Sequence, residues 1–169
     1  MVWWRENGDG RFTGSGAATS GGHDVKLSTK GRYGVRLMFD LALHYGEGAI
    51  TLKDVSKRQG ISEKYLWHLI PPLKNAGLIN STRGSRGGYA LAKPPHLINL
   101  KEILLVLEGS MCLVECTEQP SLCKRSSGCV AREMWTEVTD RMLQALAAFT
   151  LEEMLEKERG KPEVLSYSI

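Results

Sequence analysis

The sequence has no cysteine before residue 112 and none after residue 129; Cys112, Cys116, Cys123 and Cys129 all fall in that short interval. A disulfide scaffold spreads its bridges through a small secreted chain, so this clustering points towards a metal or redox site instead. No apolar run approaches the ~18 residues of a membrane helix, which excludes a helical integral membrane protein. The first 24 residues lack the ~7–15-residue apolar core of a signal peptide, so the expected location is the cytoplasm. Four histidines occur, none beside a serine, cysteine or aspartate at nucleophile spacing, so no catalytic constellation is present and an enzyme is not expected. His44 reads as a helix-surface or packing residue, and His96, after Pro95, is a remote candidate ligand.

What is there is 169 residues, 42% hydrophobic and 24% charged, enough for one domain with a modest appendage. The net charge of +3 conceals an uneven spread. Residues 26–100 hold twelve basic and four acidic side chains, a net +8, whereas residues 101–169 hold eight and twelve, a net −4. A basic half joined to an acidic half suggests that one half meets a polyanion.

Residues 1–24 are rich in Gly, Ser, Thr and Ala without periodicity. Such a segment buries too little to offset its ordering entropy and is expected to lie outside the fold, as a leader or tag. On this reading Val25 is the natural first residue; the alternative is an interaction arm anchored by Trp3 and Trp4.

Met38, Leu41, Ala42 and Tyr45 mark one face of a helix running from Tyr33 to Tyr45. Thr51 caps a short helix over Leu52–Gln59, and Gly60 ends it. Ser62 caps a second helix bearing Leu66, Leu69, Ile70 and Leu73. Two short helices across a glycine-containing turn predict a helix-turn-helix. Pro71 and Pro72 lack N–H groups, which predicts a kink and confines the base-reading turn to Ser62–Ile70. Strand-like runs at Leu78–Ser81 and Tyr89–Ala92 flank a Gly-rich turn carrying Arg83, Ser85 and Arg86, a hairpin wing. Asn99 with Glu102 opens a helix over Leu100–Gly109.

The outward side chains of this unit suit a duplex. Ser62, Glu63, Lys64, Tyr65, Trp67 and His68 at the start of the second helix can enter a major groove. Arg83, Ser85 and Arg86 on the hairpin can reach phosphates or a minor groove. Lys26, Lys30, Arg32 and Arg36 flank the first helix and can position the backbone. Singly each charge is a solvated surface residue; together, in a +8 unit, they favour nucleic acid. Trp67 points away from the apolar face, either towards DNA or onto a neighbouring helix.

The cysteines stand in a stretch full of Pro, Ser, Gly and charge, a loop able to close round a metal. Zinc prefers tight pairs, which only Cys112–Cys116 supplies, and a thiol–disulfide switch is equally open. Spacing puts an iron–sulfur cluster slightly ahead. Beyond the loop, Trp135, Val138, Met142, Ala145 and Phe149 form a heptad-like seam on a helix ending near Phe149. A long seam without a partner of its own length predicts a homodimer, with recognition helices ~34 Å apart on a near-palindrome. Thr150 with Glu153 caps a final helix, Leu151–Lys157.

The stretches KLSTKGRYGVRLMFDLAL, GIS-x-x-YL and AGLINSTRGSRGGYALAKPP, with a three-cysteine loop ending in Cys129-x5-Trp135, closely resemble the Rrf2 family of bacterial transcription regulators. The resemblance covers Val25 to about Lys157. It implies a mainly α fold: a winged helix-turn-helix with a small β-hairpin wing and a long C-terminal dimerisation helix. The implied divisions are a DNA-binding domain at 25–98, a linking helix and cysteine loop at 99–129, a dimerisation helix and short helix at 130–158, and a tail at 159–169. It also implies an iron–sulfur cluster, [2Fe–2S] ahead of [4Fe–4S], on Cys116, Cys123 and Cys129. One type of member takes a histidine three residues after the last cysteine as fourth ligand; here that residue is Arg132. Another uses an aspartate near the first helix, where this chain has Arg32. Cys112 is the simplest substitute, with Glu115 and Glu133 behind it. Family members often carry glutamate where this chain has Trp67. The alternatives are a cluster-free repressor answering a metabolite or thiol oxidation, and a winged-helix protein-interaction module with a structural metal.

Overall fold

A computed structural model describes residues 27–84 and 87–161. Residues 1–26 and 162–169 lie outside the described residues, as do Ser85 and Arg86 of the hairpin turn. The fold is mainly helical, with one two-stranded antiparallel sheet.

Helix α1 spans Thr29–Leu43, starting four residues before the periodicity predicted. The early start has a local cap, Ser28, and a long-range one, Glu108. The Ser28 hydroxyl accepts from the Lys30 and Gly31 amides. Glu108, eighty residues on, accepts from the Ser28 amide at 3.0 Å, the Ser28 hydroxyl at 2.8 Å and the Gly31 amide at 3.1 Å. A carboxylate at a helix N-terminus meets orphan N–H groups and the positive end of the dipole. Helix α4, Leu100–Glu108, delivers that carboxylate and crosses α1 closely at Gly34, where a Cβ would overlap Leu107.

Helix α2, Leu52–Gln59, and helix α3, Glu63–Asn75, form the helix-turn-helix. Thr51 caps α2 through the Asp54 amide, and Gly60 ends it with φ 62°, a left-handed turn that glycine takes without strain. Ser62 caps α3 by accepting from the Tyr65 amide. The expected kink at Pro71–Pro72 does not occur: α3 runs unbroken through both prolines. The carbonyls that lose partners belong to Trp67 and His68, which are exposed, so water can serve them. On the opposite face Leu66, Leu69, Ile70 and Leu73 are buried and hold the helix. At ~1.5–3 kcal/mol for each such side chain, their burial is of the same order as the cost of two interior prolines, about 3 kcal/mol or more each.

Strand β1, Ile79–Thr82, pairs with β2, Gly88–Leu91, in the register Ile79 to Leu91 and Thr82 to Gly88. Ile50, before α2, exchanges two 2.8 Å backbone bonds with Tyr89 and ties the hairpin to the helix-turn-helix. A short 3-10 turn, Pro95–Leu97, leads into α4, whose Asn99–Glu102 capping box forms as expected.

After α4 comes the cysteine loop, with 3-10 turns at Glu115–Thr117 and Pro120–Leu122. Helix α5, Val130–Ala148, follows, and then α6, Leu151–Arg159, behind a Thr150–Glu153 capping box. The α5–α6 junction returns to the head: Leu100 N–H donates to Phe149 and Leu151 N–H donates to Ile98, each at 2.9 Å. Leu151 and Leu155 of α6 enter the hydrophobic core with Leu37, Met38, Leu41, Leu66, Leu69 and Ile103. Helix α5 stays outside it; Thr139 is its one buried residue.

Candidate nucleic-acid interface and cysteine loop

The outer face of α3, the N-terminus of α2 and the hairpin enclose an open cleft of about 630 Å³. Its walls include Glu63 and Trp67 from α3, Lys53 from α2, Arg83 from the hairpin, and Lys74. Trp67 is 56% exposed and meets Tyr89 of β2 edge to face, ring centres 6.1 Å apart. It packs on the wing rather than on a neighbouring helix, so one aromatic pair both fixes the wing angle and presents an indole to the cleft. Lys74 donates to the Ser81 hydroxyl at 2.7 Å, a second link between α3 and the wing.

The other expected contacts divide. Lys64 and His68 are exposed on α3 but do not line the cleft. Ser62 is engaged as the cap, and Tyr65 is half-buried against Tyr33, ring centres 5.3 Å apart. Lys30 and Arg32 are exposed in the first turns of α1. Arg36 is tied down: its guanidinium donates to the side chain and backbone carbonyl of Gln59. Ser85 and Arg86 lie outside the described residues. Lys53 and Lys74 were not singled out from the sequence; the signal available was a lysine in the first turn of a capped short helix, next to a predicted wing.

Beneath the interface lies a group that no local pattern announces. Asp40 on α1 is fully buried, and accepts from Arg58 Nε at 3.0 Å, Arg58 Nη2 at 2.7 Å and Gln59 Nε2 at 3.0 Å. This fork fixes α2 against α1. The hydrogen bond to Asp40 raises the Arg58 pKa above its ordinary value, against the opposing pull of desolvation.

In the cysteine loop all four thiols are unpaired and half-buried. Soft thiol donors suit iron. Their placement does not: among the described residues no three Cys, His, Asp or Glu side chains converge into a metal-holding group. As folded, Cys116, Cys123 and Cys129 do not form a ready-made ligand set, so a cluster would have to draw the loop together. Arg132, where the resemblance to one type of member led to the expectation of a histidine ligand, donates to the carbonyls of Cys116 and Ser126 instead. Glu133 and Cys112 are not drawn in either. His96 lies away from the loop, beside α6, in a second cleft of about 510 Å³.

A helix-turn-helix braced by a hairpin, with lysines, an arginine and an indole round the cleft between them, defines a winged-helix nucleic-acid-binding protein. The Rrf2 family profile, described as that of an iron-dependent transcriptional regulator, matches residues 27–157, and the chain belongs to that family. Protein rrf2 of Nitratidesulfovibrio vulgaris is 40% identical over 131 residues, covering 78% of this chain and 87% of that protein. The solved structure of CymR, the global cysteine regulator of Bacillus subtilis, is 39% identical with a TM-score of 0.67, covering 78% of this chain and 97% of CymR. That of IscR from T. potens is 40% identical with a TM-score of 0.65, covering 85% and 96%. The chain is a DNA-binding transcriptional regulator and not an enzyme. No helix among the described residues is long and apolar enough to cross a membrane.

Proposed function

We propose that the protein works as a homodimer on near-palindromic promoter DNA, and that its cysteine loop makes binding answer to redox or iron status. The observation that carries the dimer is the state of α5. Val130, Met134, Trp135 and Val138 are 67%, 61%, 45% and 44% exposed on this nineteen-residue helix. Apolar side chains in that number on one helix call for a partner surface, and a second α5 supplies one of matching length and pattern. Each head then offers α3 to a major groove and the wing to the flanking backbone, with Lys30, Arg32, Lys64, His68 and Arg83 available to the duplex.

For the loop, the cysteine pattern and the iron-dependent description of the family profile favour an iron–sulfur cluster on Cys116, Cys123 and Cys129, with [2Fe–2S] the first form to test and Cys112 a further candidate ligand. The spread of the thiols in the fold favours a second reading, a switch by thiol oxidation without a cluster. Anaerobic purification followed by iron and acid-labile sulfide assay separates them. Iron and sulfide that disappear in Cys123→Ala support the cluster. A colourless protein whose oxidised form loses about two mass units per disulfide supports the switch. If neither Cys123→Ala nor Cys129→Ala alters promoter binding in any redox state, the loop has no sensory role.

A further inference from the structure

The cysteine loop is held by little. No residue from Gly109 to Cys129 is buried, so the segment has no core of its own. Its internal bonds are short-range: Thr117 to the Val114 carbonyl, Ser110 to Glu118, and the Ser126 amide to the Cys123 carbonyl. Such a segment opens at low free energy unless something outside it holds it.

That outside hold is Arg132, in the first turn of α5. Its Nε donates to the Cys116 carbonyl at 2.9 Å, and its Nη1 donates to the Ser126 carbonyl at 3.4 Å. The two carbonyls belong to different arms of the loop: the 3-10 turn Glu115–Thr117, and the turn between Cys123 and Cys129. Among the described residues no other α5 side chain hydrogen-bonds into the loop. A guanidinium presents its N–H groups as a rigid planar fork, and bonds from a charged donor are about twice as strong as neutral ones.

We infer that Arg132 is the positioning residue that closes the cysteine loop onto α5 and carries changes at the thiols into that helix. The inference rests on the loop being the sensory element. Arg132 grips the carbonyl of Cys116 and leaves its sulfur free to react. A reaction that moves the Cys116 backbone must then either drag the first turn of α5 with it or break the clamp. Both outcomes reach the helix proposed to join the protomers.

Hydrogen exchange read by mass spectrometry on the reduced full chain tests the clamp. Arg132→Ala should speed exchange across peptides 112–129 by about tenfold or more, a shift of about 1.4 kcal/mol, with α1–α3 unchanged. Arg132→Lys should fall between, since one ammonium cannot span both carbonyls as the fork does. Unchanged protection in Arg132→Ala overturns the proposal. The coupling is read by duplex affinity before and after iodoacetamide alkylation of the thiols. The wild type should shift at least about threefold and Arg132→Ala should not. A variant that responds as the wild type does also overturns the proposal. If the wild type itself does not respond to alkylation, the sensory reading of the loop fails, and the exchange data alone decide whether Arg132 closes it.

Discussion

Asp40 shows how much of this molecule depends on single residues far apart in sequence. A fully buried carboxylate would be costly alone; the Arg58 fork and the Gln59 amide satisfy it and fasten α2 to α1. Asp40→Asn keeps the shape but leaves Arg58 without its counter-charge. It should destabilise the fold by about 2–4 kcal/mol, measured by urea denaturation. The sign of the pH effect follows from the raised Arg58 pKa. The pair's contribution is fully present below arginine's ordinary pKa and lost only as pH climbs through the raised value in strong alkali, so Arg58 adds no pH dependence near neutrality. Gly34 is the other constrained residue. Gly34→Ala drives a methyl into Leu107, and separating α1 from α4 should cost about 1–3 kcal/mol by the same measurement. Neither residue was legible beforehand. Asp40 reads locally as one polar position on a helix, and Gly34 as a weak helix former. Their partners lie eighteen and more than seventy residues away.

At the scale of elements, caps decided what could be read. Thr51 with Asp54, Asn99 with Glu102 and Thr150 with Glu153 are local chemistry, and α2, α4 and α6 begin where those residues place them. Helix α1 begins early because Ser28 caps it locally and Glu108 adds bonds from a distance, and α3 runs through two prolines with its apolar face buried in the core. Trp67 links elements: its edge-to-face contact with Tyr89 joins α3 to the wing. Trp67→Ala should cost only about 0.5–1.5 kcal/mol of stability beyond lost area, yet change the ranking of operator variants in a competition binding assay, because the wing angle and the cleft surface change together. Weakening of all duplexes by one factor would remove Trp67 from base reading. Helix α5 makes the opposite case: its C-terminal half packs partly on α4, but Val130, Met134, Trp135 and Val138 stay exposed on the protomer. Val138→Asp should therefore leave the melting temperature of the head nearly unchanged while light scattering shows the dimer replaced by monomers. A variant that stays dimeric would move the interface elsewhere.

For the whole molecule the charge division is the governing fact. The basic residues 26–100 and the acidic residues 101–169 nearly cancel, so duplex attraction comes from the helix-turn-helix and wing rather than from the net charge of +3. Two heads releasing counterions together should give a slope of log affinity against log salt of about −5 to −9. The DNA-facing half of the site was legible because helix spacing, glycine turns and basic charge are written within some sixty residues. The cysteine half was legible only as chemistry. Four thiols announce reactivity, but whether they converge depends on how the loop lies on α5, where Arg132 rather than a fourth ligand holds it. In the proposed assembly two such heads, joined through α5, grip one duplex. Sedimentation velocity of the protein with a fluorescent promoter duplex tests it most directly. The expected result is a complex holding two protomers per site, lost in Val138→Asp at concentrations that saturate the wild type. A complex of one protomer per duplex, or equal binding by Val138→Asp, would contradict it.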